Sequence, residues 1–259
     1  MKPEAEGIRM IQSVVRATSI MEYIAANSDC ETLSNISRGI GLSKTTTYSL
    51  IRTLEQLGYV HQDQNTGKYS LGLKLFELGQ VVHSRMDLRT IARPFLYELA
   101  RKYEETVHLA VLSKGEVVYI DKVDGSRSIR IASQIGGRNP SYCTGVGKVL
   151  LADLSTAEID KVISARKLES FTANTITDPR RLKEHLVKVK ADGYALDKEE
   201  IEVGLSCVAA PLKNHRGMVV AAISLSGPTN RMASSSVEQI IADLMETSRL
   251  ISAQLGYRG

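Results

Sequence analysis

The stretch GLSKTTTYSLIRTLEQLGYV, residues 41–60, limits the possible folds more than any other part of the chain. Thr47, Leu50, Ile51, Leu54 and Leu57 fall at i, i+3, i+4, i+7 and i+10, one apolar stripe of an α-helix. Thr45, Ser49, Arg52 and Gln56 lie on the other side. The helix nevertheless opens on a run of hydroxyls, Ser43 to Ser49, broken only by Lys44 and Tyr48. Ser and Thr are indifferent helix formers, so stability alone does not explain that run. Gly41 suits the close of a preceding helix and Ser43 the cap of this one. The pattern predicts a helix that gives up propensity for a polar, hydrogen-bonding N-terminal end.

Its neighbours complete a small domain. Val14, Ala17, Ile20, Met21 and Ile24 have helical spacing. Residues 32–40 read as a short helix capped by Thr32, with Leu33, Ile36 and Ile40 inward. A tight turn at GIGLS follows. Residues 59–62 and 68–71 read as hairpin strands around Asn65-Thr66-Gly67. Three helices and a two-stranded wing predict a winged helix–turn–helix.

Such a fold reads DNA through the N-terminal residues of its third helix. The candidates there are Ser43, Lys44, Thr45, Thr46, Tyr48 and Ser49, with Arg52 about two turns in. Arg38 and the wing residue Lys68 are candidates for phosphate, and Tyr69 is read as a further wing contact. The net charge of +4 is mild, and residues 1–80 carry eight Lys/Arg against eight Asp/Glu. Distribution says more: residues 32–54 contain no acid but hold Arg38, Lys44 and Arg52, as a phosphate backbone requires. A solvated Ser/Thr face on a plain helical bundle is the competing explanation.

Residues 73–106 continue in helical pattern, with Pro94 expected in the first turn of a second helix or at a bend. The rest alternates strands and helices. VHLAVL, EVVYIDKV and SIRIAS read as strands, as do YALDKEE, SCVAAPL and MVVAAISLSG. TDPRRLKEHLVKVKADG is a helix with Asp178 as cap, Pro179 at its first position and Gly193 past its end. Residues 236–255 form a closing amphipathic helix. The fold class is α+β, with a mainly antiparallel C-terminal sheet. The expected boundaries are 1–79 for the winged domain, 80–92 for a linker helix and 93–259 for the second domain.

In AAISLSG, Ser224 and Ser226 point to one face. Cys207, from LSCVAAP, and Asp197, which ends YALD, could share a small polar pocket with them. A water-facing serine pair is the alternative. SYCTGVGKVL is not a phosphate loop, because Tyr142 and Val149 stand where Gly and Ser/Thr are needed. It remains a Gly-containing loop entering a helix, whose free N–H groups suit a carboxylate. Ser224, His215 and Asp197 have the residue types of a triad, but no GxSxG elbow surrounds a serine. His185, His215, Cys143 and Cys207 lack ligand spacing, so no catalytic or metal residue and no cofactor is expected. The three cysteines are scattered, no apolar run reaches ~20 residues, and the early acids do not suit a signal peptide. The expectation is a cytoplasmic protein without a membrane segment.

Together these segments resemble the IclR family of bacterial transcription regulators over nearly the whole chain. The resemblance is carried by residues 41–60 with TGKYSLGLKLFELG, then GEVVYIDKV, GGRNPSYCTGVGKVLLA, TITDP, GYALDKEEIEVGLSCVAAPL and GMVVAAISLSGP. It implies a GAF-like effector domain and a homodimer or homotetramer on double-stranded, palindromic operator DNA. It also implies a small organic acid effector. The implied pocket holds Gly145 and Val146 from the loop, then Asp197, Cys207, Ser224 and Ser226. Ile129 and Ile131 would form an apolar wall. Val146 stands where smaller residues are common in the family, which narrows the pocket. A competing class is a small-molecule sensor or enzyme that retains a vestigial DNA-binding domain.

Overall fold

The computed structural model describes residues 10–27, 31–84, 87–127, 131–165, 167–234 and 237–258. The chain divides between Met86 and Asp87 into two compact units. The N-terminal unit runs α1 (Gln12–Ala26), α2 (Leu33–Gly39), α3 (Lys44–Gln56), β1 (Val60–Gln62), β2 (Tyr69–Leu71) and α4 (Leu73–Ser84). Its core is Ile20, Ile24, Ile36, Ile51, Leu54 and Val60, joined by Tyr69. Thr32 Oγ1 caps α2 by accepting from Asn35 N–H at 3.2 Å, and Ser43 Oγ caps α3 by accepting from Thr46 N–H at 3.2 Å. Gly41 takes φ 69 between the two helices, a left-handed turn that favours glycine. β1 and β2 form the antiparallel wing, with Val60 opposite Leu71 and Gln62 opposite Tyr69.

Three expectations fail here. Leu57 is 57 % exposed, because α3 ends at Gln56 and Gly58 turns the chain at φ 78 before the stripe is complete. Val14 is also 57 % exposed. It lies roughly 9 Å along the helix axis from Ile20, beyond the buried contacts of this unit. Tyr69 is buried in the core, where its backbone exchanges hydrogen bonds with Glu31, and does not face outward on the wing.

The C-terminal unit runs α5 (Asp87–Tyr103), β3 (Thr106–Ser113), β4 (Glu116–Val123), β5 (Arg138–Pro140), α6 (Gly145–Ala152), α7 (Thr156–Ala165) and α8 (Pro179–Asp192). It continues with β6 (Ala195–Lys198), β7 (Leu205–Lys213), β8 (Val219–Pro228), α9 (Thr229–Ser234) and α10 (Val237–Gln254). The strands form one antiparallel sheet in the order β5-β4-β3-β8-β7-β6. Alternation along each strand gives two apolar layers. Leu109, Ile223, Val208 and Leu212 belong with α5 and α10, while Ala110, Ala222, Ala209 and Ala195 belong with α6 and α8. The second layer uses alanines, so α6 lies close to the sheet. A side chain on Gly145 would meet Cys207 Sγ at 2.6 Å, and one on Gly147 would meet Ser141 O at 2.2 Å.

Asp178 caps α8 by accepting from Arg181 N–H at 2.8 Å, and Gly193 ends that helix at φ 76. Pro94 lies inside α5 and not in its first turn, which removes one backbone bond from the helix. SIRIAS is not a strand where it is described: residues 131–134 have no regular structure, and β4 pairs instead with Arg138–Pro140. No helix among the described residues is long and apolar enough to cross a membrane.

Candidate DNA-reading face and effector cavity

The polar end of α3 is made by its own capping chemistry. Ser43 Oγ and Thr46 Oγ1 lie 2.9 Å apart, and Thr47 Oγ1 donates to Ser43 O at 2.9 Å. Ser49 Oγ donates back to Thr45 O at 3.1 Å. Thr47 is thereby buried, while Lys44, Thr45, Tyr48, Ser49 and Arg52 stay exposed. Arg52 Nη1 meets Glu55 Oε2 at 3.4 Å on the surface. Arg38 is exposed near the end of α2. On the wing, Asp63 Oδ1 accepts from Asn65 and Thr66 N–H, both at 2.8 Å, which holds its carboxyl below the usual range. That turn leaves Lys68 exposed. All nine expected DNA-facing residues therefore belong to this unit, seven of them at α3 or its cap. Thr46 is half-buried by its bond to Ser43.

In the C-terminal unit, strand register builds two rows on the alanine face. One runs Thr106, Ser226, Cys207, Asp197; the next runs His108, Ser224, Ala209, Ala195. Where these rows leave the cover of α6, a cavity of about 450 Å³ opens. Gly145, Val146, Asp197, Cys207, Ser224 and Ser226 line it, together with Ile131. Ile129 lies outside the described residues. Ser224 Oγ and Ser226 Oγ are 3.3 Å apart and both buried. The first-turn N–H groups of an α-helix such as α6 lack intrahelical acceptors and carry the positive end of its dipole; that of Gly145 faces the Cys207 sulfur.

The remaining walls bring residues that the sequence did not single out. His108 Nε2 is 2.7 Å from Ser133 Oγ. Asn139 Nδ2 donates to Tyr119 Oη at 3.2 Å. Lys122 Nζ donates to Ile131 O and Ser133 O, each at 3.0 Å, and so ties this loop to β4. His108 shares the strand parity of Thr106 and Ala110, the same signal that selected the two serines. No comparable signal exists for Lys148, which is fully buried on α6. Its ammonium donates to Leu196 O and pairs with Glu200.

Burial sets the charge states. It pushes the Cys207 and Cys143 thiols each up to about 12, with Asp197 adding to both. It lowers His108 to about 3, assisted by Lys122. Burial also raises Asp197 to about 7, against the pull of the Glu200 N–H, which bonds Oδ1 at 2.8 Å. The sign follows from linkage. The folded chain holds on Asp197 a proton that an unfolded chain releases near ~3.9. The associated stability is fully present below that value and is lost as pH rises to about 7. Asp197→Asn is therefore expected to raise the melting temperature by several degrees at pH 8 and to change it little at pH 4, by scanning calorimetry. A fall at pH 8 would contradict it.

The triad types are not assembled, since His215 packs beside Gly256 and does not line the cavity with Ser224 and Asp197. No His/Cys/Asp/Glu group among the described residues has the arrangement of a metal site.

Residues 13–64 match the family described as the IclR helix–turn–helix domain, and residues 80–253 match the bacterial transcriptional regulator IclR C-terminal domain. The HTH-type transcriptional regulator XynR of Escherichia coli is 38 % identical over 248 residues, covering 96 % of this chain and 98 % of its own. The Thermotoga maritima IclR crystal structure superposes with a TM-score of 0.76 at 35 % identity, over 96 % of this chain and all of that one. An IclR homologue from Microbacterium hydrocarbonoxydans, crystallised with 4-hydroxybenzoate, has a TM-score of 0.83 at 25 % identity, over 94 % and 98 %. With both domain matches in chain order and relatives covering nearly its full length, this protein belongs to the IclR family: a transcription regulator with an N-terminal DNA-binding helix–turn–helix and a C-terminal effector-binding domain.

Proposed function

We propose that a small organic acid, seated in the cavity beneath α6, sets this regulator's affinity for its operator. The observation that carries this reading is the convergence of the α6 first turn and the paired serines of β8 on one cavity. A carboxylate there takes N–H donors from the helix end and O–H donors from Ser224 and Ser226. Buried donors of this kind select against ligands that leave them unpaired. Val146 and Ile131 supply the apolar side. A panel of small carboxylates tested by thermal shift on the full chain checks the assignment. At least one acid is expected to raise the melting temperature of the parent and not of Ser224→Ala/Ser226→Ala. An equal shift in both proteins would remove the serines from the site.

On the DNA side, the α3 cap residues and Arg52 read the major groove while Arg38, Lys44 and Lys68 hold phosphate. The protein acts as a homodimer or homotetramer on a palindromic site in the cytoplasm. An apolar strip on α4, with Leu73 at 72 % and Phe76 at 63 % exposure, supports self-association. The effector works by shifting the populations of DNA-competent arrangements. Operator affinity that is unchanged at saturating acid would exclude that mechanism. Non-enzymatic action is supported by relatives that are transcription regulators over nearly the whole chain.

A further inference from the structure

We propose that the cavity takes up its acid together with one proton, carried by Asp197, so that effector affinity falls as pH rises above neutrality. The inference rests on the organic-acid reading above.

Asp197 is 3 % exposed and sits in the same cross-strand row as Cys207 and Ser226. Neighbouring strands are about 4.8 Å apart, so an acid held by Ser226 carries its charge to within roughly 10 Å of Asp197. At that separation and an effective dielectric of ~20, two carboxylates disfavour each other's ionisation by on the order of tenfold.

The neighbouring charges relieve this conflict only in part. Lys148 on α6 favours the ionised Asp197 and its partner Glu200 opposes it, and burial outweighs both. Arg138 on β5 binds Glu116 at 3.2 Å. His108 on β3 is held neutral by burial and by Lys122, and His185 on α8 is held down by burial and by Lys148. Tyr119 on β4, Cys143 before α6 and Cys207 on β7 are neutral, each pushed up to about 12 by burial. Glu202 adds a negative charge to the cavity wall. Lys198 and Glu199, next in the chain, cancel formally.

The hydrogen-bond pattern points the same way. Asp197 Oδ1 accepts from Glu200 N–H. Oδ2 has no protein partner among the described residues, so a proton there leaves one O–H donor for a ligand oxygen. Protonated, Asp197 is a specificity-determining donor; ionised, it repels the acid.

The test uses the full chain with acetate, D-gluconate and 4-hydroxybenzoate as probes. Binding is measured by calorimetry at pH 6.0 and 8.5, and the Asp197 carboxyl is followed by 13C NMR, assigned with Asp197→Asn. Expected are a free-protein titration near neutrality, an upward shift of its midpoint when a probe binds, and a total weakening of about tenfold between pH 6.0 and 8.5. Asp197→Asn, which keeps a donor, is expected to bind with affinity independent of pH. A carboxyl already ionised at pH 5, or equal affinity at both pH values, overturns the proton linkage and leaves the acid reading standing. Failure of all three probes at pH 6.0, where repulsion is least, overturns both.

Discussion

Replacing Glu200 by alanine is expected to cost the C-terminal unit about 3–5 kcal/mol of stability, the usual result of removing one partner from a buried ion pair. Lys148 is fully buried and its other bond is to Leu196 O, so the variant leaves an ammonium without its counter-ion. The segment after β6 is also tied down by two threonines. Thr175 Oγ1 donates to Glu200 O at 2.6 Å and Thr172 Oγ1 to Glu199 O at 2.6 Å. Ile201 and Glu202 of that segment line the cavity. Urea denaturation of the full chain, followed on the transition of the C-terminal unit, measures the cost, and acid-induced stabilisation should weaken with it. The double variant Lys148→Met/Glu200→Leu is expected to recover most of the stability, since apolar replacement of a buried pair is often neutral. A single variant within 1 kcal/mol of the parent would mean that water reaches Lys148 and that the pair does not hold this wall.

On the DNA side, Arg52→Ala is expected to weaken operator binding by about 1–3 kcal/mol, roughly fivefold to over a hundredfold, without unfolding the winged domain. Among the described residues its side chain pairs with Glu55 alone, at 3.4 Å on the surface, a type of pair worth about 0–1 kcal/mol, so redirecting the guanidinium to a base costs little. Lys44→Ala should act differently. It should weaken all DNA sequences alike and reduce the salt slope of binding by about 0.9. Fluorescence anisotropy between 50 and 200 mM salt, with specific and scrambled duplexes, separates the two roles. Parental binding by Arg52→Ala on every duplex would show that this end of α3 does not read bases.

The sequence alone was sufficient where the deciding contacts lie within a few residues. Thr32, Ser43 and Asp178 cap their helices, and Gly41 and Gly193 turn the chain where expected, because each satisfies or redirects backbone groups of its own segment. The shared face of Ser224 and Ser226 is equally local, since side chains alternate along any strand. The family resemblance then joined the helix entry at Gly145 to those late strands, and the structure lines one cavity with both.

Tertiary structure decided what depends on distant partners. Nothing in the sequence singles out Lys148, yet Leu196 and Glu200, 48 and 52 positions away, bury and neutralise it. Tyr69 looked like a wing contact until Glu31 paired with its backbone and the core closed over its ring. SIRIAS has the composition of a strand, but β4 takes Arg138–Pro140 as its neighbour. His108, Tyr119 and Asn139 reach the cavity only through the sheet order β5-β4-β3-β8. Caps and alternation are set by the nearest few bonds of the chain. Burial, ionisation and strand partners are set by which distant segments can fill the same space, and that choice exists only once the sheet has closed.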